Sequence, residues 1–190
     1  GGVSTATSEY DTLRKLGSRR VSPMLIPKWT CNILAGMAAI ELGAHGPTLA
    51  HVSACASSAM SIGEGARTIR HGYADVMVCG GAEMLGNQLP LAGFQNLRAL
   101  TLSADPDRAS LPFDRYRAGF VMGEGGAVVV LEREEHALAR GATILARVTG
   151  YGNTTDAFHI TAPADDGAAV DRAISDALSE ADETSGTIHV

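Results

Sequence analysis

An apolar run at Thr48–Val52 gives way within three residues to a helical pattern that begins at Cys55, in His51-Val-Ser-Ala-Cys-Ala-Ser-Ser58. Ala59, Ile62, Ala66 and Ile69 recur at helical spacing, and Gly72 marks the stop. A buried strand that runs straight into a helix leaves few architectures open. The alternation continues along the chain. Further strands are predicted at Ala74–Val78, Ala127–Leu131 and Ile144–Thr149, and helices at Thr30–Leu42, Cys55–His71, Arg133–Ala139 and Gly167–Ala181. Strands alternating with helices imply an α/β fold with a largely parallel sheet covered by helices. Thr30–Leu42, rich in alanine and glycine, reads as buried between layers. Gly86–Ser110 and Tyr151–Asp166 are the longest irregular stretches, long enough to be functional loops.

Cys55 gains its chemistry from that junction. A cysteine on a sharp strand-to-helix turn lies at the positive end of the helix, where unpaired N–H groups stabilise a thiolate. Small neighbours at Ala54, Ala56, Ser57 and Ser58 leave room for a carbonyl to approach the sulfur. The arrangement is that of an activated nucleophile, the cysteine counterpart of the serine elbow. Free cysteines more often serve as small buried hydrophobes. Cys31, in the first predicted helix, and Cys79, ending an apolar strand, read as core residues of that kind.

Composition excludes several classes. The chain has 190 residues, 45% of them hydrophobic but only 5% aromatic, so a sizeable core would depend on close packing of small side chains. Three cysteines without paired spacing argue against a disulfide framework and fit a reducing compartment. No CxxC or HExxH pattern suggests a metal. Neither a signal peptide nor an apolar run of about 18 residues is present, so a cytoplasmic protein without a membrane partner is expected. A formal charge of −6 disfavours nucleic acid. The chain opens on Gly1-Gly2 and stops at His189-Val190, inside a predicted strand at Thr187–Val190, and so reads as an internal piece of a longer protein.

Three spaced motifs carry a family resemblance. Ser53-Ala-Cys55-Ala-Ser-Ser is followed by Gly72-Tyr-Ala-Asp-Val-Met-Val-Cys-Gly-Gly-Ala-Glu-Met84. Pro112-Phe-Asp-Arg-Tyr-Arg-Ala-Gly-Phe-Val-Met-Gly-Glu-Gly125 and Asp156-Ala-Phe-His-Ile-Thr-Ala-Pro163 come after it. Together they resemble the β-ketoacyl-[acyl-carrier-protein] synthases, closest to the elongating type II branch, from one end of the chain to the other. The resemblance implies a thiolase-like layered α-β-α-β-α fold built from two similar halves. Residues 1–150 would form most of the N-terminal half, and 151–190 the start of the C-terminal half.

It also implies a reaction. Cys55 would take an acyl group from the phosphopantetheine arm of an acyl carrier protein, with no cofactor bound. Malonyl-carrier protein would then supply a carbanion by decarboxylation and lengthen the chain by two carbons. Substrates would be acyl and malonyl thioesters, and the intact protein a homodimer. Two catalytic histidines are expected beyond this region, the first in an Asn-Ala-His-Gly-Thr motif, so His189 is not one of them. Phe94 matches an acyl-pocket aromatic and Leu25 a residue that reaches the partner subunit's pocket. Asp156 and His159 match a mobile loop at the acyl gate; otherwise they are loop groups bonding local backbone. Arg19, Arg20 and Arg98 match basic positions that receive the acidic carrier. Asp114, Arg117 and Glu124 would form ion pairs and turn contacts under the site.

Two other readings stay open at this point. A non-catalytic, chain-length-determining subunit would usually lack the nucleophilic cysteine. A thiolase-type acyltransferase would use CoA substrates. Fatty-acid and polyketide elongation are not separated by these residues.

Overall fold

The computed structural model describes residues 2–183; the predicted strand at 187–190, with His189, lies outside them. In chain order come helix α1 (Val3–Leu16), α2 (Leu25–Trp29), α3 (Ile33–Leu42), α4 (Ser57–Arg70), strand β1 (Val76–Glu83), α5 (Gln88–Asn96), β2 (Gly125–Glu132), α6 (Glu134–Ala139) and α7 (Ala168–Glu180). Short 3₁₀ turns at Ser18–Arg20, Ala54–Ala56 and Pro106–Arg108 punctuate the connections.

Contacts group the chain into two units, each made of non-contiguous stretches. One joins Gly1–Ala50 to Gly81–Ala127; the other joins His51–Gly80 to Val128–Val190.

The predicted helices α4, α6 and α7 form close to their expected bounds. α3 begins at Ile33, three residues later than expected, because the chain turns at Cys31-Asn32 first. Three helices were not anticipated: α1, α2 and, inside the supposedly irregular 86–110 stretch, α5. Residues 151–166 are irregular as expected.

The sheet departs from expectation. β1 and β2 are present, but they form a two-stranded sheet of their own. Their pairing is antiparallel, since the Arg133 amide donates to the Asp75 carbonyl at 2.9 Å while Gly126 sits against Ala82 seven residues away. Residues 48–52 and 144–149 belong to no strand. An apolar run becomes a strand only when a neighbouring segment satisfies its N–H and C=O groups, and among the described residues neither run has such a ladder.

Burial is correspondingly shallow. Two independent bodies of half this chain's mass would together expose roughly 10,400 Å², yet the chain exposes 14,621 Å². Among the described residues the buried apolar side chains are those of Cys79 and Ala137. α3 is apolar all round, a pattern that asks for burial on every side, but Leu34, Met37 and Ile40 stay exposed, Ile40 at 76%. The expectation of a helix buried between layers is therefore not met within this chain, where α3 meets α2, a helix of 5 residues.

Where packing is tight, glycine makes it possible. Gly63 and Gly65, the buried residues of α4, lie flat against the Tyr151 ring and the Cys79 sulfur respectively, leaving no room for a side chain at either position. Arg67 stacks over the same Tyr151 ring at 4.8 Å, and Arg67 and Arg70 both pair with Glu180 of α7. These contacts fix α4, the helix that follows the Cys55 turn.

Candidate active site

Cys55 lies in the 3₁₀ turn Ala54–Ala56, which feeds directly into α4. The Ser57 hydroxyl accepts the Ser53 N–H at 2.9 Å and donates to the Ala54 carbonyl at 2.8 Å. The Ala56 N–H reaches the Ser53 carbonyl at 2.9 Å. Three hydrogen bonds thus close the turn around the cysteine. Ala54 is held at φ 45°, a left-handed conformation that costs a non-glycine residue about 1–3 kcal/mol. The strain falls on the residue before the thiol, which is exposed. Sequence reasoning valued Ser57 only for its small size; its role as the clasp of the turn was missed. The signal available was a serine four residues after another serine, a spacing that allows a local side-chain-to-backbone bond.

The other two cysteines divide. Cys79 is 2% exposed, and burial pushes its thiol up, partly offset by the Ser61 hydroxyl. That agrees with a core role. Cys31 does not: it is exposed, in the turn ahead of α3 rather than inside the helix.

A cavity of about 530 Å³ opens one residue from Cys55, lined by Ala56, Met60, Asn153, Asp156 and, from α7, Ala173 and Ile174 among others. Asp156 therefore shares a cavity with the neighbour of the thiol. Its Oδ2 also accepts the Ala164 N–H at 2.8 Å. His159 is not part of that lining. Its Nδ1 accepts the Thr161 and Ala162 amides at 3.1 and 3.0 Å. Both side chains bond local backbone and together shape the 156–164 loop, around an Ala157 held at φ 50°.

The remaining candidates belong to the first unit. Phe94, on α5, is 37% exposed and meets the Phe120 ring edge to face at 5.4 Å. Leu25, at the start of α2, is half-buried beside a groove shared with Ser4, Ser8 and Lys28. Arg19 and Arg20 stand exposed on a 3₁₀ turn. Arg98, also exposed, has φ 55°. It follows Leu97, the C-cap of α5, and its N–H reaches the Gln95 carbonyl while the Ala99 N–H reaches that of Phe94. That pair of bonds is the terminating motif in which glycine is the usual residue.

The ion pairs expected of Asp114, Arg117 and Glu124 are not found among the described residues; Glu124 instead accepts the Leu85 N–H at 2.6 Å. Asp114 accepts the Tyr116 N–H at 2.7 Å, and Arg117 donates to the Asp114 carbonyl at 2.9 Å. The turn contacts stand, and bonds to backbone take the place of the ion pairs. Among the described residues no cluster of three His, Cys, Asp or Glu could hold a metal, and no helix is long and apolar enough to cross a membrane.

Known proteins resemble this chain in sequence and in fold. Residues 1–137 match the model of the beta-ketoacyl synthase N-terminal domain. The chain is 45% identical over 181 residues to 3-oxoacyl-[acyl-carrier-protein] synthase 2 of Synechocystis sp., covering 95% of this chain and 44% of that protein. With the enzyme of the same name from Rhizobium meliloti it shares 46% identity over 190 residues, 99% of this chain and 45% of the relative. The chain thus spans about half the length of the curated relatives it matches.

Among solved structures, a Burkholderia phymatum beta-ketoacyl synthase superposes with a TM-score of 0.84 at 33% identity, over 96% of this chain and 44% of that one. A type II polyketide ketosynthase in complex with its acyl-carrier protein superposes with a TM-score of 0.90 at 28% identity, over 98% and 48%. These likenesses assign the thiolase-like α/β fold. With the model match running through the cysteine turn, β1, α5 and β2, the chain belongs to the beta-ketoacyl synthase family.

Proposed function

We propose that the protein is a β-ketoacyl-[acyl-carrier-protein] synthase in which Cys55 is the nucleophile. The observation that carries this reading is the Cys55 turn, with an exposed thiol held at the head of α4 by the Ser57 clasp. The Cys55 sulfur attacks the carbonyl of an acyl thioester carried on the phosphopantetheine arm of an acyl carrier protein. The carrier thiol leaves and a cysteine thioester remains. Malonyl-carrier protein then loses carbon dioxide, and its carbanion attacks that thioester. The new carbon–carbon bond forms as Cys55 is released, and the product is two carbons longer. Covalent capture divides one hard step into two easier ones. The backbone N–H of Cys55 is one donor for the oxyanion that develops in each attack.

The relatives' shared name, 3-oxoacyl-[acyl-carrier-protein] synthase 2, supports fatty acid elongation; the polyketide ketosynthase likeness supports the same chemistry on a different product. That ketosynthase was solved with an acyl-carrier protein, which supports a carrier as partner here, received by Arg19, Arg20 and Arg98. Phe94 and Leu25 are read as acyl-pocket residues, and Asp156 and His159 as the loop that admits the chain. Residues 1–150 are read as most of the N-terminal half and 151–190 as the start of the C-terminal one. Free cysteines and the absence of a membrane-crossing helix among the described residues are compatible with a cytoplasmic homodimer.

The test is condensation by the full-length protein. Given acyl- and malonyl-carrier thioesters, it should release a 3-oxoacyl product two carbons longer, and Cys55→Ala should abolish that product. Undiminished condensation by Cys55→Ala would remove the nucleophile. Malonyl decarboxylation without any elongation would favour a subunit that serves a partner.

A further inference from the structure

Every ion pair among the described residues takes its arginine or histidine from the second unit: Arg67, Arg70, Arg133, His136, Arg140 or Arg147. No lysine or arginine of the first unit forms one among the described residues. Four of these cations fall within the seven residues from Arg14 to Arg20. Arg14 and Lys15 lie in the last turn of α1, and Arg19 and Arg20 on the 3₁₀ turn that follows. All four are exposed.

The local fold gathers them at one end of α1. Gly17, at φ 85°, places its N–H on the Leu13 carbonyl at 3.1 Å and turns the chain back. The Arg20 N–H then reaches the Gly17 carbonyl at 3.1 Å, and the Ser22 N–H reaches Glu9 Oε2 at 2.8 Å. Glu9 stands about 10 Å before the end of the helix, so the turn is tied back toward α1 rather than led away from it. Neither carboxylate on this part of α1 pairs with the cations. Glu9 accepts the Ser22 amide, and Asp11, one turn before Arg14 and Lys15, forms no ion pair among the described residues. Leu13 and Leu16, 43% and 67% exposed, share the same last turn.

We propose that Arg14 and Lys15 join Arg19 and Arg20 in one docking surface for the acyl carrier protein, with Leu13 and Leu16 as its apolar part. This rests on the carrier-dependent reading above and adds to it a helix end that none of the sequence motifs marks.

Like charges crowded into one short stretch repel, and an acidic partner relieves that repulsion. Cations in the last turn of a helix also complement its dipole. That accounts for Arg14 and Lys15, but not for Arg19 and Arg20 beyond the helix, nor for two leucines left in water. A phosphate or a nucleic acid would engage the cations alone. Leucines among the cations fit a protein surface that carries carboxylates and apolar side chains together. Charges at the rim of such a contact act chiefly on the rate of encounter and on its salt dependence.

The experiment titrates the full-length protein with acyl carrier protein at about 0.1 M and about 1 M salt, where the screening length is about 10 Å and about 3 Å. The double variant Arg14→Gln with Lys15→Gln should bind the carrier about fivefold more weakly at the lower salt. The difference should largely vanish at the higher one. Arg172→Gln removes an exposed cation of α7 that also forms no ion pair among the described residues, and should bind as the wild type does. Leu16→Gln should weaken binding at both salt concentrations, because apolar contact is not screened; it stands in if the double variant does not fold. Thermal melts run beside the titrations. Lower stability of the double variant with carrier affinity unchanged at the lower salt would give Arg14 and Lys15 to the helix dipole and overturn the proposal. An equal loss of affinity at both salt concentrations would overturn it too. If the wild-type protein binds no carrier at either, the functional reading fails first and this inference falls with it.

Discussion

Ser57 ties to Ser53 across Cys55: its hydroxyl accepts the Ser53 amide at 2.9 Å while donating to the Ala54 carbonyl at 2.8 Å. The clasp holds Ala54 in its left-handed conformation and leaves the sulfur facing outward. Ser57→Ala removes both bonds, each with a net worth of about 1 kcal/mol. The loosened turn should slow acylation of Cys55 by roughly 10²-fold, the effect of a misplacement near 1 Å. Stability should fall by no more than about 2 kcal/mol. Stopped acylation time courses beside thermal melts measure the two effects; a large loss of stability with unchanged acylation would assign Ser57 to folding alone.

Thiol reactivity should separate the three cysteines. Cys79 is buried with its thiol pushed up, so it should resist alkylation until the protein unfolds. Cys31 is exposed but sits in a turn before α3, without the clasped junction that surrounds Cys55. Brief iodoacetamide treatment of the full-length protein, followed by peptide mapping, should label Cys55 first. Labelling of Cys79 ahead of the other two would contradict the packing of Gly65 against its sulfur.

Arg98 pays a conformational cost that glycine would avoid. It ends α5 at φ 55°, so Arg98→Gly should stabilise the protein by about 1 kcal/mol. If the guanidinium receives the acidic carrier, the same variant should weaken carrier binding several-fold and lose part of its salt dependence. Melting curves and carrier titrations at two ionic strengths give both numbers. Higher stability with unaltered carrier binding would remove Arg98 from the docking surface.

Glu132 should mark acid unfolding. Hydrogen bonds from Arg140 and then His136 hold its carboxyl at about 2, below the ordinary 4.5. A carboxylate depressed in the folded state contributes stability that is fully present above about pH 4.5 and is lost as pH falls toward 2. Thermal melts of the wild type should therefore steepen their decline over that window, and Glu132→Gln should flatten it. Identical pH profiles would show that the cluster holds no folding energy.

The sequence disclosed its helices better than its sheet. α4 and α7 carry apolar residues at helical spacing, and periodicity is a local signal. α1 escaped because its apolar residues are sparse, and α5 because it lies inside the stretch 86–110 that shows no helical periodicity, with Pro90 and Gly93 interrupting the pattern. Pro90 falls in the first turn of α5, where its missing N–H costs nothing. Residues 48–52 and 144–149 have strand-like composition without a strand, since a ladder depends on a partner that composition does not name. In the candidate site, Cys55 stood out because type and position coincide. The Ser57 clasp, the left-handed backbone at Ala54 and Arg98, and the Glu124–Leu85 bond depend on dihedral angles and on contacts with distant parts of the chain, neither of which a residue pattern carries.

The central claim is that Cys55 becomes acylated. The full-length protein, incubated with an acyl-carrier thioester and no malonyl donor, then digested under mildly acidic conditions, should yield one peptide heavier by the acyl mass. Fragmentation should place that mass on Cys55, and adding malonyl-carrier protein should remove it as the elongated product appears. An acyl mark on Cys31 instead, or elongation by a protein whose Cys55 peptide never carries one, would contradict the account.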